Sequence, residues 1–309
     1  MGYGRWSSDA WDRYAARNIN GKRTVDDIYT QRGMDASLDP RGVKVRESLD
    51  SRDNPESTPV IVGLDVTGSM GFVLDSMARE GLKKLATEIY DKRPISDPHL
   101  MFMGIGDVKF DRAPLQVTQF EADIRIAEQL TKIYLERGGG GNNCESYTLP
   151  WWFAAMHTKC DAYRKRNKKG YLFTMGDECP PKELSASDIE KALGYTPQFD
   201  RISTKKLYEL VARQYEVFHI VVEEGSYCSY GHDRVLKEWR EVLGQHVLVL
   251  SDHTKMAELI VSTLQVMNGE EREEVVKGYD ECTALVIQDA MRELSGPEKR
   301  ERGFLKFFR

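Results

Sequence analysis

Pro59-Val60-Ile61-Val62-Gly63-Leu64-Asp65-Val66-Thr67-Gly68-Ser69-Met70-Gly71 decides the fold. Its first seven residues form a short, almost wholly apolar run, the pattern of a strand covered on both faces in a parallel sheet. Leu74, Ala78, Leu82, Leu85 and Ile89 follow at helical spacing and predict a helix that stops before Pro94. Between strand and helix stand one carboxylate and two hydroxyls, Asp65, Thr67 and Ser69, each two residues from the next. All three offer hard oxygen donors of the kind Mg²⁺ takes in a near-octahedral shell. Gly68 lets the chain turn so that Thr67 and Ser69 face one point. The metal-free alternative is a hydroxyl helix cap.

Outward from this unit the pattern repeats. Leu100 to Ile105 and Leu115 to Thr118 predict strands with a hairpin-length loop between them, and Ile126, Leu130 and Ile133 mark a helix over 121–137. Tyr147 to Lys159 is apolar nearly all round and predicts a buried helix. Strands at Gly170–Met175, Val217–Val222 and His246–Leu250 alternate with helical stretches near Pro181–Leu193, Ser203–Tyr215, Asp233–Leu243 and Thr254–Met267. Alternating strands and helices imply parallel pairing with right-handed crossovers. The expected fold is therefore α/β, a doubly wound, mostly parallel central sheet with helices on both faces. A polar helix over 270–294 follows, closed by Gly296-Pro297.

Residues 1–57 read as a separate N-terminal extension, with a short helix over Ser8–Ile19 and an extended stretch from Met34 to Ser57. Trp6, Trp11, Tyr14 and Tyr29 suit a segment that packs on something, because flexible tails lack such residues. Residues 58–266 form the α/β domain, and 267–309 a C-terminal helix with a tail. The last seven residues, Gly-Phe-Leu-Lys-Phe-Phe-Arg, read either as a docking peptide or as cover for an apolar patch of the same chain.

Ligands of an open doubly wound sheet bind beyond the carboxyl ends of its strands. Two further loops there carry candidate donors: Gly138-Gly139-Gly140-Gly141-Asn142-Asn143-Cys144-Glu145-Ser146, and Gly176-Asp177-Glu178-Cys179-Pro180. No Gly-Lys-Ser/Thr follows the glycines, so the run is not a phosphate loop of the Walker type. Asp107 ends another strand, as an outer partner of the site or as an ordinary turn acid.

Asp65-Val66-Thr67-Gly68-Ser69-Met70 resembles the first loop of the metal-ion-dependent adhesion site of von Willebrand factor type A domains, Asp-x-Ser/Thr-x-Ser. The resemblance covers roughly residues 58–266 and is nearest an intracellular bacterial or phage-type branch. It implies that Thr67 and Ser69 bind Mg²⁺ directly, with Mn²⁺ an alternative, and that Asp65 and Asp177 reach it through water. The second loop is similar to the Gly-Gly-Gly-Asp-x-Pro-Glu of type A domains attached to α-kinases, with Asn142 in place of Asp and Cys144 in place of Pro. Asn142 offers a carbonyl oxygen there. Glu145 either compensates for the lost charge or starts the next helix. The third loop departs from the family's Thr-Asp-Gly by placing its acid two residues later. Asn143, Glu145, Glu178 and Asp107 are the possible second shell.

Such a site implies a metal-dependent protein–protein interaction module whose partner presents an acidic residue. Intracellular relatives act beside AAA+ ATPases or kinase–phosphatase modules. A docking component with an incidental metal is the alternative. A haloacid-dehalogenase-type phosphatase needs a second Asp two residues after the first, where this chain has Thr67. No complete catalytic constellation is present. His157 on the apolar helix and His219 in mid-strand read as packed structural residues.

The net charge of −5 argues against a nucleic-acid binder working through a broad basic field. No apolar run approaches the roughly 20 residues a membrane span needs, and the N-terminus lacks the apolar core of a signal peptide. Five scattered cysteines without a paired motif fit a reduced, cytoplasmic chain.

Overall fold

The computed structural model describes residues 4–19, 21–68, 70–136 and 144–297. The central sheet has six strands: β1 (Thr58–Asp65), β2 (Pro98–Ile105), β3 (Leu115–Val117), β4 (Gly170–Gly176), β5 (Tyr215–Val222) and β6 (Val247–Leu250). Their order is β6-β5-β4-β1-β2-β3, with β3 antiparallel to β2 and every other pairing parallel. This is a doubly wound α/β fold, and its strand order reverses between β1 and β4, the crevice where such folds bind ligands.

The strand pleat explains the continuous apolar runs. Val60, Val62 and Leu64 of β1 belong to one core, together with Leu82, Leu85 and Ile89 of the helix Leu82–Lys92 and with the helix Met256–Met267. Ile61 points into the opposite core, with Trp151 of the helix Thr148–Met156 and Trp239 of the helix Cys228–Leu243. Alternate side chains of one strand thus enter two cores, so after Thr58 at its partly exposed start no position on β1 is polar until Asp65 at its end.

Three expected helices are shorter in the structure. Glu121 exchanges backbone hydrogen bonds with Leu100 as an isolated bridge, so the helix expected over 121–137 spans only Arg125–Leu130. The polar stretch 270–294 holds two helices, Arg272–Val276 and Glu281–Ala290, because Asp280 caps the second through Thr283 N. The helix expected over 147–159 ends at Met156, and Thr158–Cys160 forms a small parallel pair with Arg46–Ser48.

Neither extension stands apart. Trp11, Ile28, Tyr29 and Leu38 before the sheet, and Val275, Ile287, Met291 and Leu294 after it, bury in the same core as β1. The Phe-rich tail lies outside the described residues. Among the described residues no helix is long and apolar enough to cross a membrane.

Candidate metal centre

Register brings the acids to one edge. Asp65 stands opposite Ile105 of β2, and Leu64 stands opposite Met175 of β4, so the exits of β1, β2 and β4 are level. Asp65 is fully buried. Its Oδ1 accepts from Thr67 N at 3.0 Å and Thr67 Oγ1 at 2.6 Å, and its Oδ2 accepts from Tyr147 Oη at 2.9 Å. Because the Thr67 hydroxyl donates its proton to Asp65, its lone pairs remain for another partner.

Asp177 follows β4, is almost wholly buried, and accepts from Tyr227 N at 2.8 Å through Oδ2; its Oδ1 has no partner. Asp107 follows β2. Its Oδ1 closes its own turn on Lys109 N at 2.8 Å, while Oδ2 is buried and unpartnered. Both roles anticipated for Asp107 are therefore compatible with one carboxylate. The segment holding Glu145 is pinned to that turn: Ser146 N donates to Gly106 O at 3.2 Å, and Val108 N donates to Ser146 Oγ at 2.9 Å. Glu145 precedes the helix Thr148–Met156 and leaves Oε2 buried and unpartnered, as does Glu178. Ser69, Asn142 and Asn143 lie outside the described residues.

Asp107, Glu145, Asp177 and half-buried Glu178 thus each keep one buried oxygen without a hydrogen bond. Among the described residues neither they nor Asp65 form an ion pair with Lys, Arg or His. Burial raises the Asp65 carboxyl to about 7, with the Asp177 charge adding to the shift against the hydrogen bonds from Thr67 and Tyr147. Burial, then the charges of Asp65, Glu178, Asp107 and Asp111, push Glu145 up to about 10. Burial and the neighbouring acids raise Glu178 to about 8, and burial also raises Asp177. Acids that repel one another in a dry site, with no cation paired to them among the described residues, fit an added divalent ion. Oxygen donors alone suit Mg²⁺ or Mn²⁺.

The carboxylates are not drawn tightly together. Among the described residues, the one trio of His, Cys, Asp or Glu donor atoms within 4.8 Å of one another is Glu224, Asp252 and His253. That trio, on the loops leaving β5 and β6, is partly exposed and tied internally, with Glu224 Oε2 accepting from His253 N at 2.6 Å and 2.8 Å from His253 Nδ1. Sequence reading missed it because two separate loops supply it without a local motif.

His219 is buried on β5, stacked 3.6 Å from the Trp239 ring and 2.9 Å from Thr174 Oγ1 through Nδ1. His157 differs from expectation: it follows the helix end half-buried, with Nε2 2.8 Å from Tyr195 Oη and Nδ1 3.1 Å from Lys44 O. All five cysteines are free. A cavity of about 940 Å³ opens at the opposite edge of the sheet near Tyr90, Arg93 and Lys168. Helices end there at Lys92 and Arg166, so its basic side chains serve carbonyl-rich helix termini.

Comparison with protein-family models gives no match, and comparison with curated proteins gives none. Among solved structures, the pilus adhesin SpaC from Lactobacillus rhamnosus GG in its open conformation aligns over 74% of this chain and 31% of its own, at 11% identity and TM-score 0.46. Proximal thread matrix protein 1 from the mussel byssus aligns over 68% of this chain and 47% of its own, at 11% identity and TM-score 0.38. The chain therefore spans less than half the length of either protein.

Proposed function

We propose that this chain is a metal-dependent protein-binding module of the von Willebrand type A kind. A Mg²⁺ ion, with Mn²⁺ as the alternative, is held by Thr67 and Ser69 directly, by Asn142 from the second loop, and through water by Asp65 and Asp177. The observation that carries this reading is the set of four carboxylates, Asp107, Glu145, Asp177 and half-buried Glu178, each with a buried, unpartnered oxygen and, among the described residues, no Lys or Arg ion pair. Glu145 takes the compensating role, since its carboxyl stands beside those of Asp65 and Glu178 and ionises once a cation offsets their repulsion.

Bound there, the ion supplies an attraction for a hard anionic ligand, and the ligand is an acidic side chain of a partner protein. The chain's own residues shape that encounter. Phe110 is 61% exposed on the turn that Asp107 opens, and Tyr230 is 94% exposed three residues after Tyr227, whose N–H holds Asp177. Sheet order puts these aromatics on opposite sides of Asp65, on the β2 and β5 flanks. Exposed aromatics beside a charged centre favour a protein partner over a free small anion. Five free thiols support a reduced, cytoplasmic setting.

Calorimetric titration with Mg²⁺, on the wild type and on Asp65→Ala, tests the reading. Saturable binding with a raised melting temperature is expected in the wild type, with both lost in the variant. A wild type that binds neither Mg²⁺ nor Mn²⁺, alone or with a partner added, would sink it.

A further inference from the structure

We infer that Tyr147 is the positioning residue of this centre, setting the Asp65 carboxylate before any cation arrives. The inference rests on the reading of the site as cation-binding. A carboxylate at a strand end rotates about its last bond unless both oxygens are held. Thr67 holds Oδ1 twice, and the Tyr147 hydroxyl alone holds Oδ2. Together the three donors fix the plane of the group. They also fix the Thr67 hydroxyl with its proton toward Asp65 and its lone pairs turned away, the state a direct metal donor needs.

The phenol is itself immobilised. Tyr147 is fully buried, edge-on to His219 at 5.0 Å and to Trp239 at 5.6 Å, while His219 lies flat against Trp239. Trp239 Nε1 donates to Glu178 O at 2.9 Å. One aromatic block therefore joins the first loop through Asp65, the second through Tyr147, and the third through Glu178. Gly176, at the end of β4, admits the hydroxyl: a Cβ there would stand 1.9 Å from Tyr147 Oη. Any side chain at 176 would drive the phenol off Asp65.

A purely structural account has Tyr147 filling space and Asp65 merely satisfying a buried hydroxyl. The two accounts separate on metal affinity. Tyr147→Phe keeps the ring and its volume and removes only the donor. Trp151→Phe is the packing control. Trp151 is buried in the same block, 6.0 Å from Trp239, and its Nε1 has no partner, so that change loosens packing without removing a hydrogen bond.

Mg²⁺ calorimetry and metal-free melting on the full chain and both variants give the answer. A hydrogen bond to a charged group is at stake, so Tyr147→Phe should weaken Mg²⁺ binding about tenfold or more, and Trp151→Phe by less than about twofold, whichever melts lower. Wild-type affinity in Tyr147→Phe overturns the assignment, and so does a parallel loss in both variants. Failure of the wild type to bind Mg²⁺ removes the centre itself, a result distinct from either of those.

Discussion

Gly225 and Asp177 exclude any side chain between them: a Cβ on Gly225 would stand 2.2 Å from the Asp177 Cβ and 2.4 Å from its Oδ2. The turn leaving β5 closes over the acid, and Tyr227 N then donates to it. Glycine is required at 225 by space, not by backbone angle. Gly225→Ala should destabilise the fold by about 1–3 kcal/mol, the usual cost of forcing atoms into a packed site. It should also displace Asp177 and weaken Mg²⁺ binding. Melting and calorimetry on that variant check both effects, and unchanged melting would show that the turn yields without cost.

The raised acids give the metal-free protein an unusual pH dependence. Asp65 moves from 3.8 to about 7, and Glu178 and Glu145 from 4.5 to about 8 and about 10. Each holds its proton more tightly folded than unfolded. Its contribution is therefore complete below the unfolded value and is lost as pH rises through the folded one. Buried His219, whose folded value is depressed from 6.5, acts oppositely but only as pH falls below that point. Between pH 6.5 and 8 the acids dominate. In EDTA the melting temperature should fall across that window, and saturating Mg²⁺, which binds the ionised acids, should flatten the fall. Identical slopes with and without metal would contradict this.

Asp65→Asn should separate stability from binding. The carboxylate is fully buried among acids, whereas an amide keeps an acceptor for Thr67 and carries no charge to desolvate. The metal-free variant is expected to melt above the wild type at pH 8 and to bind Mg²⁺ at least about tenfold more weakly, as a lost charged ligand implies. A variant that melts lower would mean that the negative charge is compensated within the fold.

The fold was legible because its central strands are buried on both faces, which writes β1 as an unbroken apolar run ending in Asp65. Register needs no further instruction once such strands alternate with amphipathic helices. Local competition was less legible. Glu121 pairs with Leu100 across 21 residues, and no helical periodicity reveals that capture. In the site, Asp65 and Thr67 are two residues apart in sequence and could be read together. Tyr147 looked like one more apolar position of a buried helix. Its hydroxyl reaches Asp65 across 82 residues, a contact set by the packing of Trp239 and the absence of a side chain at Gly176. Asp107 suited two roles, because one oxygen of its carboxylate closes a turn while the other stays free.

The N-terminal extension should prove inseparable from the α/β domain. Leu38 O accepts from Val117 N at 2.8 Å, so residue 38 supplies a partner for edge strand β3. Tyr29 is buried and its hydroxyl donates to Leu74 O at 2.9 Å, in the helix that follows the Asp65–Thr67 loop. Asp50 accepts from Arg166 at 2.7 Å and from Ser57 Oγ at 2.8 Å. Those bonds outweigh its desolvation and bring its carboxyl down to about 2. Trp11 fills core space against the Trp6 ring at 5.8 Å. Trp11→Ala should cost about 3–5 kcal/mol, the range for truncating a buried aromatic. Tyr29→Phe should cost about 1 kcal/mol for one hydrogen bond. Residues 58–297 expressed alone should then give no cooperative melt, since the strand edge, the helix after the Asp65–Thr67 loop and the Arg166 guanidinium each lose a partner. A truncated protein melting within a few degrees of the full chain would instead make residues 1–57 an accessory that the domain carries without needing.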